Sequence, residues 1–257
     1  MAKNTLIGIS ALAKKVNKIY VGVGGTAKKI KKGYIGVGGT AHLFYSGDPV
    51  LLYESSTAGS QTMVLTAGKY EITLIGGGGG ASGRRSSLTN THHYAQGGVG
   101  GTLQFIANLP TSATVTVTVG GGGNTSNGTF ASSGITLSGT AGSASTITGF
   151  PNLTATAGGG TAGTSTSTSS SACSLTPGKM GTNTLSGSAP SEILINNPTT
   201  ITSLSATSTG NSRAVAGRPN TNWPEDNTRG KGGDSGWSSA NFITMHGAAG
   251  FVRIRML

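Results

Sequence analysis

Glycine runs set the terms on which this chain can fold. They stand at Gly76 to Gly80, Gly97-Gly98 with Gly100-Gly101, Gly120 to Gly123, Gly158 to Gly160 and Gly232-Gly233, within a total of 45 glycines. One reading of such runs is flexible linker. The other is a set of ordered segments, because only glycine lets backbones in an extended threefold helix pack closely side by side. The runs abut strand-like segments and recur inside one region, which favours ordered, laterally packed segments. The helices and long apolar strands of a two-layer α/β enzyme core are missing, since charged residues make up 10% of the chain and aromatics 5%.

The strand signals are short and alternating. Val50 to Tyr53, Gln61 to Leu65, Tyr70 to Ile75, Thr102 to Ala107 and Thr114 to Val119 read as strands, with Thr66-Ala67-Gly68-Lys69 as a hairpin connection. In Thr114-Val115-Thr116-Val117-Thr118-Val119 the valine face is expected to be buried and the threonine face open. Gly250 to Met256 alternates too, placing Arg253 and Arg255 opposite its apolar side chains in a strand that closes the sheet. The Ser/Thr-rich stretches 161–176 and 199–212 read as surface loops or short repeats.

Residues 6 to 47 hold a repeat of period 14. Leu6-Ile7-Gly8-Ile9 aligns with Tyr20-Val21-Gly22-Val23 and with Tyr34-Ile35-Gly36-Val37. Each copy reaches Ser10-Ala11, Gly24-Gly25 or Gly38-Gly39 and then a second short strand. Gly-Gly between β-branched and aromatic residues is a hairpin signal, because both turn residues can take positive φ without a Cβ clash. Each copy therefore reads as one hairpin of a meander, too small to be stable without packing on a partner or on itself. Ser46-Gly47-Asp48-Pro49 reads as a boundary, dividing a repeat region at 1–48 from a glycine-rich β-sandwich at 49–257.

Charge follows the same division. Of the net charge of +11, eight lysines precede the first acid, Asp48. The repeat region has few aromatics and no recognisable nucleic-acid-binding motif, so its basic edge is expected to dock on an acidic partner. Cys173 is the single cysteine, which excludes an internal disulfide framework. The start, Met1 to Ser10, lacks a signal-peptide pattern, and no stretch approaches the ~18 apolar residues of a membrane span. Synthesis in a cytoplasm and no membrane partner are expected.

Catalytic chemistry finds little material. Gly233-Asp234-Ser235-Gly236 matches the segment around a serine-protease nucleophile, but His92 and His93 lack the setting of a triad base, and the match is read as coincidence in a glycine-rich loop. No Gly-Lys-Ser/Thr closes a glycine run, so none is a phosphate loop. His92, His93 and His246 are read as loop histidines rather than metal ligands. Seven scattered carboxylates offer no acid pair. No cofactor and no metal are expected. Binding suits the residues better: Tyr94, Trp223 and Trp237 sit in polar Gly/Asn-rich segments, where flat aromatic faces serve sugars or proteins, and Arg84 and Arg85 could face anionic polymers.

Ala67-Gly68-Lys69-Tyr70-Glu71-Ile72-Thr73-Leu74-Ile75 followed by Gly76 to Gly80 resembles the glycine-rich domain of phage tail fibres and adhesins. So do Gly97 to Gly101, Thr114 to Gly123 and the ending Gly247 to Arg255. The Tyr-Ile-Gly-Val-Gly-Gly-Thr-Ala repeat is similar to N-terminal segments of tail proteins from phages of Gram-positive bacteria. The resemblance implies an all-β, non-enzymatic virion protein, expected as a homotrimer, in a tail fibre or baseplate that contributes to host attachment. A head fibre, decoration protein or filament-forming subunit is the alternative. Attachment to other virion proteins is expected at Lys14, Lys15, Tyr20, Lys28, Lys29, Lys31, Lys32 and Tyr34. Contact with a cell-wall glycan or surface protein is expected at Arg84, Arg85, His92, His93, Tyr94, Trp223 and Trp237. The stretch from 161 to 230 departs from the adhesin pattern in being richer in Ser and Thr.

Overall fold

The structure is a computed structural model that describes residues 6–9, 12–15, 20–23, 26–29, 32–37, 40–46, 49–85, 92–125, 136–151, 153–167, 173–176, 178–187, 190–197, 230–232, 235–238, 241–244 and 246–257. All regular structure among them is β. The repeats form three antiparallel hairpins, β1 (Leu6–Ile9) with β2 (Leu12–Lys15), β3 (Tyr20–Val23) with β4 (Thr26–Lys29), and β5 (Lys32–Val37) with β6 (Thr40–Ser46). Their registers repeat with the sequence. Gly8 faces Ala13, Gly22 faces Ala27 and Gly36 faces Ala41, while Ile9↔Leu12, Val23↔Thr26 and Val37↔Thr40 are the last pairs of the three hairpins, with two residues between the partners of each. Each hairpin is a two-stranded sheet of its own.

The sandwich begins with β7 (Val50–Ser55), β8 (Gly59–Leu65) and β9 (Gly68–Ile75), and β10 (Ser82–Arg85) and β11 (His92–Ala95) follow as a hairpin. Next come β12 (Thr102–Leu109), β13 (Ala113–Val119), β14 (Thr136–Leu137), β15 (Ser145–Phe150) and β16 (Leu153–Ala157). The chain continues through β17 (Thr164–Ser167), β18 (Cys173–Thr176), β19 (Thr184–Gly187), β20 (Glu192–Asn197), β21 (Ser235–Ser238), β22 (Asn241–Thr244) and β23 (Phe251–Met256). Two five-stranded sheets result, ordered β20-β12-β9-β23-β7 and β19-β16-β15-β13-β8, with every pairing antiparallel.

Period-two alternation builds the core between them. Tyr70, Ile72, Leu74, Leu103, Phe105, Val252 and Ile254 meet Val115, Val117, Ile147 and Ala155 from the facing sheet, all fully buried. Tyr70 stands edge-on to Phe150 at a centroid distance of 6.2 Å, and its hydroxyl donates to the carbonyl of Thr66. The valine face of β13 is buried as expected. Its threonine face joins an uncharged hydroxyl surface, where Thr116 and Thr118 bond across to Thr62 (3.1 Å) and Ser60 (2.8 Å). Arg253 and Arg255 do oppose Val252, Ile254 and Met256, with Glu71 Oε1 at 4.0 and 3.9 Å from the two guanidinium groups. β23 completes its sheet from within, between β9 and β7.

Thr66 to Lys69 is not a hairpin connection. β8 and β9 lie in different sheets, so the chain crosses the sandwich there, which lets Leu65 and Tyr70 enter one core from opposite sides. The 161–176 stretch also departs from the loop expected, since Thr164–Ser167 and Cys173–Thr176 pair as a hairpin. The 199–212 stretch lies outside the described residues.

The glycine runs are packed. Eight extended segments, called rods here, leave or enter the sandwich: 76–80, 96–101, 120–124, 139–144, 158–163, 178–183, 230–232 and 246–250. Rod 76–80 is central, and its partners change with a period of three. Gly76 and Gly79 donate to Gly101 and Gly98, Gly77 and Gly80 to Ser143 and Thr140, and Gly78 to Ala248, all at 2.8–2.9 Å. The opposite faces keep the same period. A β-carbon on Gly76 or Gly79 would overlap carbonyls of rod 158–163, one on Gly77 or Gly80 those of rod 120–124, and one on Gly78 that of Lys231. Six rods thus surround one, three reached by N–H groups and three by bare Cα faces, as threefold helices in hexagonal packing require. The remaining rod, 178–183, lies against 96–101 and 158–163 through bonds such as Gly178 N–H to Gln96 and Thr161 N–H to Lys179.

Candidate functional site

Every rod pair carries something at its far end. Rods 76–80 and 96–101 bear hairpin β10–β11, rods 158–163 and 178–183 bear β17–β18, and rods 230–232 and 246–250 bear β21–β22. Rods 120–124 and 139–144 lead to β14, which pairs with β10. At about 3.1 Å per residue a five-residue rod spans about 15 Å, and that length separates these hairpins from the sandwich. The hairpins also neighbour one another: β17 and β18 lie beside β10 and β11, and β21 lies beside β11.

Six of the residues expected to contact a host surface fall in this cluster. Arg84 faces His93 and Arg85 faces His92 across β10–β11, with Tyr94 opposite Gly83. Trp237 stands on the adjacent β21, opposite Phe242 of β22. Trp223 lies outside the described residues. Two arginines and two histidines thus fall on one hairpin, and a tryptophan pairs with a phenylalanine on the next. Phe242 was not singled out in the sequence, although an aromatic cross-strand partner for Trp237 was within reach of its alternation. Hairpin β17–β18, with Cys173 opposite Ser167, was also missed, because its Ser- and Thr-rich strands lack the alternation of apolar and polar residues that marks a half-buried strand.

His246 has a structural task at the base of β21–β22, where its Nδ1 accepts the backbone N–H of Thr125 at 2.9 Å. Among the described residues no three of His, Cys, Asp and Glu come together. Of the residues expected at the virion end, Lys14 and Lys15 lie on β2, Tyr20 on β3, Lys28 and Lys29 on β4, and Lys32 and Tyr34 on β5. Lys15 and Lys29 hold equivalent registers, opposite Leu6 and Tyr20. Lys31 lies outside the described residues.

Residues 54–257 match the profile of a family described as glycine-rich domain. The chain belongs to this glycine-rich domain family. No curated protein matches the chain. The glycine-rich domain match covers the sandwich from within β7, the rods and the hairpins they bear, and it leaves out the three hairpins formed by the repeats.

Proposed function

We propose that this glycine-rich domain protein is a non-enzymatic part of a phage virion, in a tail fibre or baseplate, and that it contributes to attachment to the host surface. The observation that carries the proposal is the gathering of Arg84, Arg85, His92, His93, Tyr94 and Trp237 on neighbouring hairpins, held away from the sandwich by a bundle of hydrogen-bonded rods. Binding surfaces gain from such mounting, because a preorganised scaffold spares the entropy of ordering at the moment of contact. The likeness of the strand-and-glycine order to tail-fibre domains supports the virion setting. In this reading the basic repeats dock on another virion protein, and the hairpins meet an anionic wall glycan or a surface protein.

Labelled full-length chain should bind host cell walls. A variant with Arg84→Ser, Arg85→Ser, Tyr94→Ala and Trp237→Ala should lose at least about tenfold in affinity while melting as the parent does. Absence of wall binding, with the protein located on heads or shafts of virions, would instead favour a head fibre, decoration or filament subunit.

A further inference from the structure

An antiparallel sheet packed on one side can leave its other face in water. The second sheet does so. Thr116, Thr118, Thr146 and Thr148 stand on its inner strands, alternating with the core residues Val115, Val117 and Ile147, and all four are only half-buried. The first sheet differs. Thr73 and Arg253, on inner strands β9 and β23, alternate with Ile72, Leu74, Val252 and Ile254 of the core and so face outward, yet they are 0% and 4% exposed. Register places Ile75, Thr102, Phe251 and Ile106 on the same outer face, and these are buried too. The burial stops at the end away from the rods, where Lys69 and Asn108 are exposed.

Among the described residues no strand from outside the two sheets runs along this face. The hydroxyls of Thr73 and Thr102 are buried there with no hydrogen-bond partner among the described residues, so a cover has to bring polar groups as well as apolar ones. The two ends of one segment lead to it. β20 ends at Asn197, which faces Thr102 beside the rods, and the chain is next described at Gly230. Gly230 donates its N–H to Ala249 and accepts that of Gly100, so it lies between the rods that lead into β23 and β12. Across rod 76–80 from it stands rod 139–144, which enters from the second sheet. Gly230 is also the sandwich end of its rod, since Gly232 lies farther out against Gly97. The chain therefore reaches Gly230 from over the outer face of the first sheet.

We infer that residues 198–229 cross the outer face of the first sheet and are its cover, with Trp223 seated over Phe251, Ile75 and Ile106. The 32 residues reach about 100 Å when extended, at ~3.3 Å each, whereas β12, β9 and β23 together are only about 10 Å across, so the segment can cross and return. Its composition suits the face. Ile201, Leu204, Val215 and Trp223 are the apolar side chains for Phe251, Ile75 and Ile106, and its many Ser, Thr and Asn residues carry partners for Thr73 and Thr102. The inference goes beyond the proposed function, because it holds whatever surface the distal hairpins meet. It also takes Trp223 out of the set expected to touch a host and gives it to the sandwich.

The test uses full-length chain in a Cys173→Ser background, with no host surface present, so its outcome is separate from that of wall binding. A thiol reagent should label Thr73→Cys at least about tenfold more slowly than Asn108→Cys, because the first is covered and the second is not. A benzophenone attached at Gln104→Cys, a half-buried position in register with Thr73, should cross-link on irradiation to a peptide from 198–229 of the same chain. With Trp237→Phe, Trp223 is the single tryptophan, and its emission should be that of a buried indole shielded from iodide. Equal labelling of the two cysteines would overturn the inference. So would cross-links into any other segment or into a second chain, or a Trp223 quenched as freely as tryptophan in water. The Gln104 and Trp223 readouts stand even where Thr73→Cys does not fold.

Discussion

Gly78 has the carbonyl of Lys231 where a β-carbon would stand, and that carbonyl is backbone fixed in a neighbouring rod. Gly78→Ala should therefore force rods apart and cost about 1–3 kcal/mol, as overpacking does. At about 2–4 °C per kcal/mol for a chain of this size, the loss would be visible in a thermal melt. Gly121→Ala is the control. The nearest atom to its added methyl is Ala58 Cβ at 3.7 Å, an ordinary contact, so stability should stay within about 0.5 kcal/mol of the parent. An equal loss at both positions would contradict the packing described. Consecutive glycines were plain in the sequence, but glycines at a spacing of three were passed over. Gly139 and Gly142, Gly160 and Gly163, Gly178 and Gly181, and Gly247 and Gly250 serve rods outside the centre. A threefold helix packed on part of its circumference needs glycine only on that part, so Gly-x-x-Gly is the pattern its geometry writes.

Strand β13 was the most legible element, because Thr and Val alternate without exception and each side of the sheet accepts one of them. Val117→Thr buries a hydroxyl in an apolar core and should cost about 1–3 kcal/mol. Thr116→Val, on the open face, should change stability by no more than about 0.5 kcal/mol. Denaturant midpoints of the two variants check this, and comparable losses would mean that the face assignment is wrong. Connections were less legible. Two residues between β8 and β9 suit a hairpin as well as a crossing between sheets, and only the pairing of β8 with β13 and of β9 with β12 and β23 decides it. The candidate site divides in the same manner. Arg84, Arg85, His92, His93 and Tyr94 were close enough in sequence to be grouped, whereas the approach of Trp237 depends on which rods are neighbours, a long-range fact that no local pattern carries.

Across the whole molecule, the chain rises from the sandwich along one rod, forms a hairpin and returns along another, and a lattice of backbone bonds replaces the apolar core that the rods lack. Because the core residues among those described come from positions 50–256, a chain starting at Pro49 should melt within about 2 °C of the full-length protein. A large drop in Tm would mean that the repeats take part in the same folding unit. The central claim is that the glycine runs are ordered by these bonds, and amide hydrogen exchange addresses it most directly. The N–H groups of Gly76 to Gly80 all donate to backbone carbonyls, so they should be protected as strongly as those of Ile72 and Leu74 in the sheet below. Exchange of Gly76 to Gly80 at the rate of an unstructured peptide, beside protected Ile72 and Leu74, would contradict the account.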